Sequence, residues 1–292
     1  MSNINFLVDQ IGIDKDTLNI SIQDKVFESC LNKSKAELTQ WLYSVLHVKN
    51  PNIFENNAVA SSFGDLNVKI TETISDPGII LPLKWEVEED RKIAVITGVK
   101  VDVTDYIVDN KVLLPCFRPN ITPGFFMFNH NSNITRWGGL VKRFYIGANN
   151  PNYAIDLWAK GINVFIDKGI DFQAKVLSDS KSYPRTDAVV FYVPEEYEDI
   201  VEKVLISLIS ESNDNIVCSP LCEEIIYNLS KADEPIQLEH HQQSFGENRC
   251  SIIADSIHDS IIKGLNFGVI LRQRMLSSKV NPDNLSQNLM IS

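Results

Sequence analysis

The sequence lacks the long hydrophobic runs that would place it in or across a membrane. No apolar stretch approaches the roughly 20 residues that a membrane-spanning helix needs. The first 20 residues carry Asp9, Asp14 and Asp16, where a secretory signal would be basic and then apolar. We therefore expect a soluble protein of the cytoplasm.

Cysteine is sparse and its spacing is uninformative about metals. The five cysteines are an odd number with no CxxC pair: Cys30, Cys116, Cys218, Cys222 and Cys250. Cys218 and Cys222 have no nearby histidine that could complete a metal site with them. We expect buried free thiols in a reducing compartment, and no bound metal.

The sequence signatures of the common enzyme classes are also missing. The chain contains no GxxxxGK[ST], GxGxxG, HExxH or GxSxG motif. His240 and His241 are adjacent, and neighbouring side chains of an extended segment point apart, so a shared metal between them is not expected.

The charge of the chain disfavours nucleic acid as a partner. Lys and Arg number 27 against 38 Asp and Glu, which gives a net charge of -11. The distribution is uneven, because residues 136–185 hold eight basic and four acidic side chains. A basic region within an acidic chain is compatible with an anion site or with ordinary patchiness.

The hydrophobic pattern predicts an α+β fold, with a mixed or antiparallel central sheet flanked by helices. We divide the chain into a helical N-terminal segment (1–65), a β-rich segment (66–120), an α+β core (121–268) and a C-terminal tail (269–292) that is frayed from about Arg272. Ser34 is expected to cap the front helix, which Asn50-Pro51 ends. Helices are also predicted over 153–168, 195–210, 221–230 and 249–265, and strands over 68–71, 92–97, 101–104, 124–128, 143–146, 172–177 and 188–193.

Single basic residues within these apolar strands are the features most indicative of function. A buried cation needs an anion or a hydrogen-bond partner, since burying it alone costs several kcal/mol. By strand alternation Arg143 and Tyr145 share a face, and so do Arg185 and Asp187. If their strands adjoin that of Lys175, one sheet face presents all these groups. The alternative is a solvated face, where Arg185 and Asp187 form an exposed pair worth well under about 1 kcal/mol.

The ordered motifs of residues 120–265 resemble the HopA-type effector family, and a weaker correspondence involves Trp41-Leu42-Tyr43. The resemblance is carried by Pro123-Gly124-Phe125-Phe126, Arg143-Phe144-Tyr145, the run GINVFIDKGIDFQAK that ends at Lys175, RTDAVVFYV from Arg185, Glu234-Pro235, and Ser244-Phe245-Gly246 with Arg249. Gly147 departs from the pattern, which has an asparagine there.

The resemblance implies two classes of function. The family includes type III secreted effectors of bacteria, and lyase-like components of lanthipeptide and thioamide-peptide (RiPP) biosynthesis. In the second class a partner Ser/Thr kinase phosphorylates a precursor peptide, and the lyase removes the phosphate to leave dehydroalanine or dehydrobutyrine. We expect this phosphopeptide lyase activity, with no cofactor, no metal, no nucleic acid and no membrane.

The chemistry of elimination suggests a role for each candidate residue. Lys175 is the expected base, because desolvation and nearby arginines favour its neutral amine. The expected phosphate clamp consists of Arg143, Arg185 and Arg249, since guanidinium groups match phosphate oxygens. Tyr145 or His241 is the expected proton donor, and Asp187 and Ser244 are supporting residues.

Two alternatives remain open at this stage. The same basic pocket would suit a non-enzymatic effector or adaptor that binds an acidic or phosphorylated protein partner without turnover. An unrelated α+β protein with purely structural basic residues is the third possibility.

Overall fold

A computed structural model describes residues 3–53, 64–96, 98–131, 140–209, 216–236 and 243–289 of the chain. The helices are α1 (Ile4–Gln10), α2 (Lys35–Leu42), α3 (Asn67–Thr73), α4 (Pro151–Asp167), α5 (Glu198–Ile209), α6 (Phe245–Lys263) and α7 (Phe267–Ser277). The strands of the first half are β1 (Ile11–Ile13), β2 (Ile20–Ile22), β3 (Lys25–Phe27), β4 (Ile79–Leu81), β5 (Trp85–Glu88), β6 (Arg91–Ile96), β7 (Val99–Asp102), β8 (Ile107–Val108), β9 (Lys111–Leu114) and β10 (Phe117–Thr122). Those of the second half are β11 (Phe125–His130), β12 (Val141–Ala148), β13 (Phe172–Leu177), β14 (Arg185–Pro194), β15 (Glu223–Ile226) and β16 (Leu229–Asp233).

The centre of the fold is a seven-stranded sheet in the order β10-β11-β13-β14-β12-β16-β15, with each neighbouring pair antiparallel. Three small sheets accompany it: β1-β2-β3, β4-β9-β8 and β5-β6-β7. The predicted α+β class with an antiparallel central sheet is therefore confirmed. The N-terminal segment, predicted as helical, also contains the first of the small sheets.

Helices cover both faces of the central sheet, because its strands alternate between two hydrophobic cores. Phe144 and Phe191 pack with Trp158 of α4 in one core. Tyr145 and Val190, the neighbours of those two phenylalanines, belong to the other core together with residues of α2, α6 and α7. Successive side chains of each central strand thus point to opposite faces of the sheet.

The predicted central strands are all present. Helix α4 connects β12 to β13, as expected for a crossover between the strands of Arg143 and Lys175. β14 lies between these two strands and pairs with both. The two strands that carry the basic residues are therefore separated by a third, which carries Arg185.

Three local predictions are wrong. The strand predicted over 68–71 lies in α3, which buries Ile70, and Ile74 is buried directly after the helix ends. The helix predicted over 221–230 is the β15–β16 hairpin, and its turn places Asn228 at a φ of 46°, outside the right-handed helical region. The tail predicted to fray from Arg272 continues α7, and Leu285 beyond it is fully buried.

The front helix begins as predicted and ends in an unusual turn. Ser34 and Glu37 form a reciprocal capping box at the start of α2. Residues Tyr43–His47 continue it as a π-helical turn, in which the Val48 N–H donates to the Tyr43 carbonyl at 3.0 Å. Turns of this kind are rare and occur frequently at functional sites.

The prediction that the cysteines are buried and free is confirmed for all five side chains. In the described part of the chain, none of the helices is both long and apolar enough to cross a bilayer.

Candidate functional site

The central sheet brings the predicted basic residues to one face. Tyr192 of β14 is directly opposite both Arg143 and Gln173, and Val190 is directly opposite both Tyr145 and Lys175. Directly opposed residues share a face, so Tyr145 and Lys175 flank Val190 with their Cα atoms about 10 Å apart. The prediction that these strands present their polar groups together is confirmed.

Arg185 and Asp187 lie next to a bulge in β14. Ile146 pairs with Val189 but Ala148 pairs with Arg185, so β14 has extra residues here. The guanidinium group of Arg185 lies 5.2 Å from the centre of the Phe125 ring, which also contacts Lys175. The shared ring shows that the start of β14 lies close to Lys175.

Gly147 lies opposite this bulge and is tightly packed. A Cβ atom at this position would be 2.9 Å from Cγ2 of Ile216. The Asn228 side chain donates to the Gly147 carbonyl at 3.4 Å, so an asparagine reaches this part of the backbone from the hairpin. The departure from the family pattern thus has a packing reason in this chain.

Arg185 and Asp187 form a buried ion pair rather than the exposed pair of the alternative interpretation. Two N–H groups of Arg185 donate to the Asp187 carboxylate at 2.7 and 2.8 Å, and the side chains are 8% and 3% exposed. Tyr43 completes the network, since its hydroxyl accepts from Arg185 and donates to Asp187, both at 3.3 Å. Burial alone would raise the pKa of Asp187, but the charge of Arg185 and its hydrogen bonds hold this pKa well below its usual range.

Arg143 is also neutralised by a carboxylate. Its guanidinium group donates to both carboxylate oxygens of Glu234, with the Nη2 to Oε1 distance at 2.7 Å. The guanidinium carbon lies 5.0 Å from the centre of the Tyr192 ring. Arg143 is therefore fixed by the carboxylate of Glu234 and by the ring of Tyr192.

Arg249, the third residue of the predicted phosphate clamp, makes its hydrogen bonds to other parts of the chain rather than beside Lys175. It is completely buried, and it donates to the Leu285 carbonyl at 2.8 Å and to the side chains of Asn248 and Asn288 at 2.6 and 3.3 Å. Burial lowers its pKa to about 10. These bonds fasten α6 to the C-terminal residues, so the guanidinium group acts as part of the scaffold in this structure.

Lys175 is half-buried and differs from the arginines in its surroundings. Its ammonium nitrogen lies 4.2 Å from the centre of the Phe125 ring. Within the described ranges, no carboxylate lies within ion-pair distance of this nitrogen, whereas Arg143 and Arg185 each have one. Lys175 is thus the cation of this face that is available to an incoming anion.

The two predicted proton donors have different outcomes. Tyr145 is buried and burial raises its pKa well above the usual range, while its hydroxyl has no hydrogen-bond partner in the described residues. His241 lies outside the described residues. Ser244, predicted as a supporting residue, caps α6 by accepting from the Glu247 N–H at 3.3 Å.

Sequence reasoning missed several neighbours of these groups. They are Tyr43, His47, Phe125, Tyr192 and Glu234. Phe125 and Glu234 stand in motifs that carry the family resemblance, but nothing in the motifs indicates which cation each one contacts. Tyr43 and His47 are four residues apart, which places them together on a helix, but this spacing does not reveal that the helix ends against the central sheet.

Comparison with known proteins gives a matching family and several similar solved structures. The family model for the HopA1 effector protein family matches residues 116–286. The effector protein from Pseudomonas syringae pv. syringae strain 61 is 20% identical with a TM-score of 0.44, and that from Pseudomonas syringae pv. tomato strain DC3000 is 20% identical with a TM-score of 0.43. Each match covers 57% of this chain and 63% of the other, so the chain spans less than two thirds of those proteins. No curated protein sequence matches the chain.

Proposed function

The chain belongs to the HopA1 effector protein family, and we propose that it is a phosphoserine/phosphothreonine lyase acting on a peptide phosphorylated by a partner kinase. The observation that carries the proposal is the half-buried Lys175, which has no carboxylate partner among the described residues while the neighbouring arginines do. A free lysine beside neutralised arginines suits a reaction that must bind an anion and move a proton.

In the proposed reaction Lys175 removes the α-proton of the phosphorylated residue. The electron pair of the C–H bond forms the C=C bond, and the C–O bond to phosphate breaks with its electrons on the leaving oxygen. Phosphate departs, dehydroalanine or dehydrobutyrine remains, and the lysine returns its proton to solvent. For this step the amine must be deprotonated and must leave the Phe125 ring, which stabilises the charged form.

The arginines support the departing phosphate in this proposal. The Asp187 carboxylate engages two N–H groups of Arg185, and Glu234 engages two of Arg143, so each guanidinium group has other N–H donors for phosphate oxygens. Arg185 is the nearer candidate, since it shares the Phe125 ring with Lys175. We assign Arg249 to holding the scaffold, and Tyr145, with its unpaired hydroxyl, to proton donation.

Mass spectrometry of a kinase-phosphorylated precursor peptide tests the proposal. We expect wild type to remove the mass of phosphoric acid, and Lys175→Ala to lose this activity while still binding the phosphopeptide. Lys160→Ala is the matched control, because Lys160 is an exposed lysine of α4 on the opposite side of the sheet. A wild-type protein that leaves every phosphopeptide intact would refute lyase activity.

One observation favours the second candidate, a non-enzymatic effector or adaptor that binds a phosphorylated or acidic partner. Lys175 stacks its ammonium group on Phe125, and both arginines are fixed by carboxylates before any ligand arrives. Such an arrangement is suited to recognition at fixed geometry. An unmodified phosphopeptide that binds to wild type, and more weakly to Lys175→Ala and Arg185→Ala, would support this function.

A further inference from the structure

His47 lies at the centre of the polar face, although no motif indicates it. The π-helical turn Tyr43–His47 carries it, and its ring centre is 5.3 Å from those of Tyr43 and Tyr145 and 5.8 Å from that of Phe245. The Thr186 hydroxyl donates to its backbone carbonyl. Residues of the π-helical turn, β12 and α6 thus meet at this imidazole, and β14 is bonded to the backbone of the histidine.

The approach of α6 to this histidine depends on a glycine. A Cβ atom on Gly246 would overlap the imidazole carbons of His47 and would lie 2.7 Å from Cε2 of Tyr43. The first turn of α6 can therefore pack directly on the ring, and the imidazole has little freedom to rotate.

The hydrogen bonds around Ser219 define the protonation of His47. The Ser219 hydroxyl donates to the Leu46 carbonyl at 3.2 Å and accepts from the Leu221 N–H at 3.2 Å. Its oxygen is 3.3 Å from Nδ1 of His47. Because the hydroxyl proton is already committed to Leu46, Nδ1 carries the proton and donates to Ser219, which leaves Nε2 as the basic nitrogen.

Charged groups from three strands act on this imidazole. Burial is the largest influence and lowers the pKa of His47 to about 4; Asp187 opposes this shift, whereas Arg185, Lys175 and Arg143 reinforce it. The groups packed nearby from the helices are the hydroxyl of Tyr43 and, close to that tyrosine, Glu247 and Cys250 of α6. The imidazole is therefore neutral at pH 7, mainly because it is buried and further because three cations act on it.

We propose that His47 is the proton-linked residue of the phosphate site, which takes up a proton at Nε2 when a phosphate dianion binds at Lys175 and Arg185. This inference rests on the proposed phosphate site but does not require turnover. A dianion reverses the sign of the local potential and so favours the imidazolium form, which burial and the cations disfavour in its absence. The proton comes from solvent.

Calorimetric titration with N-acetyl-phosphothreonine amide at pH 7.5, in buffers of low and high ionisation enthalpy, tests this proposal. At this pH a phosphomonoester is almost entirely dianionic, so the ligand itself takes up little proton. We expect wild type to take up roughly half to one proton for each ligand bound, and His47→Gln to take up almost none.

His258→Gln is the matched control. His258 is also a buried histidine whose pKa is lowered mainly by burial, but the charges acting on it are those of Lys35, Asp255 and Asp259. It should retain the uptake of wild type. Proton uptake by His47→Gln equal to that of wild type would overturn the proposal.

A second readout covers the case in which His47→Gln does not fold. The chain has five histidines, and in wild type the imidazole resonances of one of them should move from the neutral to the charged position when the ligand is added, with a nuclear Overhauser contact to Tyr145. Ligand binding without such a change overturns the role of His47 alone. Failure of wild type to bind the ligand overturns the phosphate site as well. Ligand binding with proton uptake but without elimination of phosphate supports the role of His47 and refutes only the lyase activity.

Discussion

Removing the carboxylate of the buried Arg185–Asp187 pair should be among the most destabilising substitutions in this chain. In Asp187→Leu the guanidinium group stays buried and loses its two hydrogen bonds of 2.7 and 2.8 Å, so that among the described residues it keeps the 3.3 Å hydrogen bond to Tyr43 and the contact with the Phe125 ring. Breaking such a pair from one side costs about 3–5 kcal/mol, because the remaining charge is buried without compensation. Urea denaturation followed by circular dichroism should show a midpoint well below that of wild type.

The double variant Arg185→Met/Asp187→Leu separates this cause from a general loss of packing. With both charges replaced by apolar groups of similar volume, most of the lost stability should return, since no uncompensated charge remains. Asp156→Ala is the control, because the exposed Lys160–Asp156 pair on α4 is worth less than about 1 kcal/mol. A single variant as stable as the control, or a double variant as unstable as the single one, would refute the reasoning.

Three further predictions concern the surroundings of the site. In the unfolded chain His47 binds a proton near pH 6.5, whereas in the folded chain it does so only near pH 4. Because of this residue the free energy of unfolding should fall by roughly 3 kcal/mol between pH 7 and pH 4. The pH profile of unfolding should therefore be flatter in His47→Gln. Gly246→Ala should lower the free energy of unfolding by about 1–3 kcal/mol, because the added methyl group overpacks against His47 and Tyr43. Gly264→Ala tests a different cost, that of a φ of 65° in open space. Equal stability of Gly246→Ala and wild type would contradict the close approach. Arg249→Met should release the residues around Leu285, which limited proteolysis with mass mapping would detect as new cleavage beyond α7; an unchanged pattern would count against the scaffold role.

The sequence predicted the central strands well because each one is long enough to show its apolar pattern. Alternation also placed Arg143 and Tyr145 on a common face, which the register confirms, and the Arg185–Asp187 ion pair shows that those two side chains meet as expected. The pattern failed where it was short. Four residues around Ile70 cannot distinguish a strand from a helix, and the hairpin containing Asn228 reads as a helix because its strands have only four and five residues.

Strand alternation could not predict which charged groups of the site are paired. Alternation indicates which face a cation occupies, but not which carboxylate meets it there. Glu234 reaches Arg143 from 91 positions away and Tyr43 reaches Arg185 from 142 positions away. These partners depend on how distant segments pack, so the neutralised arginines and the central position of His47 emerge only in three dimensions.

The position of β14 has a consequence for how the protein acquires its site. β12 and β13 are joined through α4, and the gap between them is filled by a strand that follows both in the chain. β14 carries Arg185 and Asp187, and Tyr43, which hydrogen-bonds both, lies 142 positions before Arg185 in the chain. Contacts of such long range form late in folding, because their loop-closure entropy must be overcome first. We therefore expect the polar face to form late in folding, so that a chain with only its local hairpins and helices would have no site.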